Sequence, residues 1–110
     1  MALETELAQR KCKPCEGGTP ALDESTARRF LKTLQNWNLI QNRIEKEYKF
    51  TDFVTAMQFV NVVAQIAEVE GHHPDLELGW GRVGVKLTTH AIKGLSENDF
   101  IVAAKINQLS

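Results

Sequence analysis

The stretch Glu68-Val69-Glu70-Gly71-His72-His73-Pro74-Asp75-Leu76-Glu77-Leu78-Gly79-Trp80-Gly81-Arg82-Val83-Gly84-Val85-Lys86-Leu87 decides the fold, because the hydrophobic period changes inside it. Leu76, Leu78 and Trp80 alternate with Asp75, Glu77 and Gly79, and Val83, Val85 and Leu87 alternate with Arg82, Gly84, Lys86 and Thr88. A period of two marks strands with one buried face, and Gly81 at the junction makes the pair a hairpin. Upstream the spacing is helical. Gly71 supplies the stop of that helix and Pro74 prevents its resumption.

Toward the N-terminus, the helix starts at Thr51 or Asp52 and carries Phe53, Ala56, Met57, Val60, Ala64 and Ala67 on its main stripe. Val62, Val63 and Ile66 widen the apolar surface, which implies burial on more than one side. Before it, Trp37 and Leu39 alternate with Asn36 and Asn38, and Ile44, Tyr48 and Phe50 alternate with charged residues, which predicts a first hairpin. Asp23 caps an earlier helix with Ala27, Phe30, Leu31 and Leu34 on one face. Toward the C-terminus, Ser96 with Asp99 marks the start of a last helix bearing Phe100, Ile101, Ala103, Ala104 and Ile106. The order is αββαββα. It predicts an α+β, two-layer domain over residues 23–110, a four-stranded antiparallel sheet with three helices on one face, preceded by an N-terminal arm over residues 1–22.

The 110 residues suit one domain with one core, and 43% hydrophobic with 25% charged residues is a composition that folds. A net charge of −1 with interspersed signs offers no basic surface for nucleic acid. No apolar run is long enough for a membrane span, and Met1 to Arg10 lack the features of a secretory signal, so a cytoplasmic protein is expected. Cys12 and Cys15 form a Cys-x-x-Cys pair in a segment rich in Lys, Pro and Gly. With His72 and His73 they make a zinc ligand set by type. Adjacent histidines diverge, however, and the spacing of a zinc motif is missing, so no metal is expected. A thioredoxin-like centre lacks its strand-to-helix turn.

All three histidines, His72, His73 and His90, stand beside element ends. Such residues titrate near neutral pH, so two of them can give one proton and take another in one turnover. Pro74 drives His73 toward extended backbone, which points consecutive side chains to different sides and gives His72 and His73 different tasks. Glu68 lies four residues before His72 and can hold an imidazole if the last helical turn persists. Glu68 and Glu70 both oppose the helix dipole, which calls for compensating partners. Strand parity puts His90 on the polar face with Thr88 and Lys86. Taken singly, each has an ordinary reading: a solvated His-His-Pro turn, a strand-end histidine, core packing for Trp80 and Trp37, and a solvated sheet face from Arg43 to Lys49.

Together, Glu68, three residues, His72-His73-Pro74, five residues, Trp80, nine residues, His90, eight residues and Asp99 resemble the signature of the pterin-4a-carbinolamine dehydratases. The similarity runs from about Asp23 to Leu109, and the arm Lys11 to Gly18 is similar to that of plant and bacterial members. The resemblance implies the α+β fold above and the loss of water from 4a-hydroxytetrahydropterin, as in tetrahydrobiopterin recycling, giving quinonoid dihydropterin with no redox cofactor. It implies His72 and His90 as acid and base, His73 as the chief pterin-binding residue, and Glu68 as the group orienting an imidazole. Pro74, Trp80 and Thr89 join His73 as expected substrate-binding residues. Some animal members carry Trp where this chain has Leu76, which leaves Trp80 or Trp37 to supply an aromatic wall. Family habit further implies a homodimer or homotetramer, and a partner such as an aromatic amino acid hydroxylase. The alternative is an interaction module, a coactivator or assembly factor, for which an intact histidine triad with Glu68 would be unnecessary.

Overall fold

A computed structural model describes residues 4–13 and 20–109. Helices α1 (Glu4–Gln9) and α2 (Glu24–Thr33) precede strands β1 (Asn38–Ile40) and β2 (Arg43–Lys49). Helix α3 (Phe53–Glu70), strands β3 (Asp75–Gly79) and β4 (Arg82–Leu87), a short 3-10 turn (His90–Ile92) and helix α4 (Glu97–Asn107) follow. The strands pair antiparallel in the order β1-β2-β4-β3, so the two hairpins meet through β2 and β4. The α+β layout and both hairpins are those expected from the sequence.

Local chemistry sets the element ends. Asp23 accepts from the Thr26 N–H at 2.8 Å and Asp52 from the Thr55 N–H at 2.8 Å, so two helices begin on carboxylate caps. The same backbone donors hold both carboxyls below the usual range. Helix α3 ends on Gly71 at φ 65, a left-handed cap that costs glycine little. In the second hairpin, Gly81 lies so close to Phe50 that a Cβ would stand 2.7 Å from its carbonyl oxygen, while Phe50 donates its N–H to the Gly81 oxygen at 2.8 Å.

Alternation along the strands divides the sheet into two chemical faces. Ile44 opposite Leu87 and Tyr48 opposite Val83 point into the core with Val85. The outer face carries the ion pairs Arg43–Glu45, Arg82–Glu47 and Lys86–Glu77. Helix α3 turns Ala56, Phe59, Val63 and Ala67 into the core, with the Phe59 ring 4.7 Å from that of Tyr48. This departs from the expected stripe: Phe53 and Ala64 face out, Phe59 faces in, and Val63 belongs to the core rather than to a surplus surface. The large hydrophobic residues that α3 leaves outward are Phe53, Val54, Val62 and Val69.

The segment read from sequence as an arm contains α1, whose Leu7 is fully buried. This helix lies antiparallel on α4, with Glu4 beside Asn107 at one end and Arg10 beside Glu97 at the other. Lys105 donates to the Ala8 carbonyl at 2.6 Å, answering a helix-end acceptor. Asn107 is the hub. Its Oδ1 accepts from Trp37 Nε1 at 3.0 Å, Lys46 Nζ at 2.9 Å and Tyr48 Oη at 2.7 Å, while its Nδ2 donates to Glu4 and to the Gln35 carbonyl. Burial pushes the Tyr48 phenol up, so its proton stays available to donate.

Asn107→Leu keeps the volume but strands the Trp37 and Tyr48 donors. At about 1–3 kcal/mol for each buried unsatisfied group, the variant loses at least about 2 kcal/mol in urea unfolding. A loss below about 0.5 kcal/mol, the scale of a neutral surface change, would show that the hub contributes nothing.

Candidate active site

Asp99 is fully buried at the first turn of α4, and three chain segments converge on it. Its Oδ2 accepts from the Ser96 N–H at 2.9 Å and from Thr89 Oγ1 at 2.8 Å, and its Oδ1 lies 2.6 Å from His72 Nε2. A carboxylate facing a ring nitrogen at that distance accepts from it, so Nε2 is the donor and Nδ1 is the ring nitrogen left outside this contact. Ser96 and Asp99 are legible in sequence as a helix start. Their use as the support of His72 was not, because the cap signal is local and the His72 contact spans 27 residues.

Glu68 pairs with His73 at 2.6 Å, not with His72. The expected spacing of four residues fails because the chain turns left-handed at Gly71 before reaching His72. His72 faces inward and His73 outward, the divergence expected at the His-His-Pro turn. Glu70 finds the compensation its helix-end position requires. It accepts from the Cys12 N–H at 2.9 Å and stands 3.6 Å from Lys105 Nζ. Burial works against its charge, yet these two donors outweigh it and hold the carboxyl below the usual range.

Residues before α2 supply one wall of the site. Lys13 donates its N–H to Asn98 Oδ1 at 3.0 Å and accepts from Asn98 Nδ2, a reciprocal pair that lays the chain along the N-terminus of α4. A cavity of about 480 Å³ opens there, lined by Cys12, Lys13, His72, His73, Thr89 and His90 among others. The adjacent His72 and His73 and the distant His90 thus share one cavity. His90 stands mostly exposed in the 3-10 turn, 3.8 Å from Asp75 through its Nε2. It lies beyond the end of β4, so strand parity does not govern it.

Other expected site residues sit elsewhere. Trp80 is 70% exposed in the turn between β3 and β4, at the opposite end of the strand from the histidines, on the order of 15 Å away at the rise of a strand. Trp37 is buried against Asn107. Neither forms an aromatic wall of this cavity. Pro74 is half-buried at the entry to β3 and does not line it. Thr89 lines it, and its hydroxyl bonds Asp99 Oδ2 and Ser96 Oγ. Of the Cys-x-x-Cys pair, Cys15 lies outside the described residues. Among the described residues no three His, Cys, Asp or Glu side chains gather as a metal site, and no helix is long and apolar enough to cross a membrane.

The family model described as pterin 4 alpha carbinolamine dehydratase matches residues 20–109. The chain belongs to this family. A dehydratase-family protein of Azoarcus sp., named for pterin-4-alpha-carbinolamine dehydration, is 52% identical over 96% of this chain and 92% of its own length. One from Nitrosomonas eutropha with the same name is 51% identical over 94% and 93%. Among solved structures, a transcriptional coactivator/pterin dehydratase from Brucella melitensis superposes with a TM-score of 0.77 at 35% identity, covering 81% of this chain and 97% of that one.

Within this family member, Cys12 is placed to be inert. Burial and the neighbouring Glu70 carboxylate push its thiol up to about 12, so almost none is thiolate at neutral pH. Removing that negative charge lowers the thiol's pKa. Glu70→Gln should therefore speed iodoacetamide alkylation of Cys12 at pH 8, followed by peptide mass spectrometry so that Cys15 is scored separately. An unchanged or slower rate at Cys12 would contradict the assignment.

Proposed function

We propose that this chain removes water from 4a-hydroxytetrahydropterin, giving quinonoid dihydropterin. The observation that carries the reading is the gathering of His72, His73 and His90 in one cavity, with His72 locked to a buried carboxylate. Breaking the C4a–O bond requires a proton on the departing hydroxyl, so that it leaves as water, and the removal of a proton from N5. One histidine gives and another takes; across the turnover the protons balance.

His72 and His90 are the two proton-transfer groups. Asp99 fixes the His72 ring and its tautomer, leaving Nδ1 as the atom that exchanges a proton with the substrate. His90 is exposed and has no such lock, which suits the partner that must also meet solvent between turnovers. His73, held by Glu68 at the rim, orients the pterin. His72→Ala and His90→Ala should each lower the dehydration rate by about 10² or more, while His73→Ala mainly raises KM. Near-wild-type turnover in both of the first two variants would falsify the assignment.

Self-association is part of this reading. Val54 and Val69 are 64% and 81% exposed on α3, and Phe53 and Val62 add to that apolar surface. A monomer gains nothing from such a face, whereas a symmetric dimer or a dimer of dimers buries it. The same surface favours the second reading, an interaction module, since the Brucella melitensis relative bears coactivator in its name. Light scattering at micromolar concentration should give at least twice the 12.4 kDa chain mass. A monomer with full dehydratase activity would remove the case for assembly and for an interaction surface built on it.

A further inference from the structure

A second cavity, of about 570 Å³, adjoins the histidine pocket through the shared residues Thr88 and His90. Its walls are cationic: Arg43, Lys86 and Lys93 line it against the single carboxylate Asp75. Counter-charges stand on the same outer face of the sheet as Arg43 and Lys86. Glu45 meets Arg43 through Nε at 2.8 Å and Glu77 lies 3.7 Å from Lys86, and neither carboxylate lines the cavity. Asp75 faces His90.

Arg43 and Lys86 stand on β2 and β4, and the segment that carries Lys93 is tied to the β1–β2 turn. Thr88 Oγ1 donates to the Asn42 carbonyl at 2.7 Å, and Asn42 Nδ2 donates to the Lys93 carbonyl at 3.3 Å. Lys93 sits at φ 54, in the left-handed region that a non-glycine residue adopts at a cost, and its N–H donates to the His90 carbonyl at 3.2 Å. The backbone that presents His90 to the first cavity therefore also presents Lys93 to the second.

We propose that this second cavity receives an anionic substituent, a phosphate or carboxylate carried on the pterin side chain, while the ring lies against the histidines. The inference rests on the dehydratase reading above. Pterin rings are themselves uncharged near neutral pH, so a cluster of lysine and arginine beside the ring site acts on the substituent rather than on the ring. Arginine and lysine together suit an oxyanion, since one offers a planar fork and the other a point charge.

The test compares three 4a-hydroxytetrahydropterins whose side chains are neutral dihydroxypropyl, phosphorylated or carboxylated. At low ionic strength, kcat/KM for at least one anionic substrate should exceed that of the neutral one by about tenfold or more, and salt should shrink the advantage. Whichever anion gains identifies the source. In Arg43→Gln/Lys93→Gln the advantage should fall to about twofold or less, and Lys93→Gln alone, at an exposed position, should lower it by about threefold should the double variant fail to fold. Equal turnover of all three substrates by the wild-type protein, or an advantage that survives both variants, overturns the subsite and leaves the dehydratase reading standing. No turnover of any of the three overturns both.

Discussion

A carboxylate with no exposure to water must be answered wholly from within the protein, and in this fold the burden falls on Asp99. Its partners come from the end of α3, from the segment after β4 and from its own helix cap. Removing any one leaves charge or lone pairs buried and unpaired, which costs several kcal/mol. The three segments are therefore not free to drift relative to one another. His72 is aimed by the start of α4 more than by its own loop, and this makes a turn of otherwise ordinary composition a precise support for chemistry.

Much of the fold was legible because the determinants are local. Asp23 and Asp52 cap helices within three residues, Gly71 stops one at its own φ, and strand alternation shows which residues face in. What escaped was set at long range or by short elements. Helix α1 buries only Leu7 and Ala8, too few positions to make a period. The α3 stripe was read partly out of phase, because valines and alanines surround the helix and only its packing on Tyr48 and Phe50 selects Phe59.

The site divides in the same way. The three histidines were visible as a pattern, and the structure brings them to one cavity. The resemblance assigned Trp80 to the site, and alternation, which reports the face of a strand but not which end lies near the chemistry, could not show that it does not line the cavity. Helical spacing carried Glu68 to His72, but a left-handed residue between them redirects the chain and gives Glu68 to His73. Cys12 and Lys13 read as part of a Cys-x-x-Cys arm but not as a wall of the site, since their place there depends on Asn98, 85 residues from Lys13.

Helix α1 also bears on how this chain can change over generations. The match to the family model begins at residue 20, yet the core begins at Leu7, which has no solvent exposure. A lineage that shed this segment would open a void along α4 worth about 2–5 kcal/mol for a lost leucine, a large part of a small domain's stability. Larger side chains on α4 would have to arrive with the loss. Substitutions at Leu7 and along the facing side of α4 should accordingly covary among relatives that keep the helix, and the pairing should vanish in those that lack it.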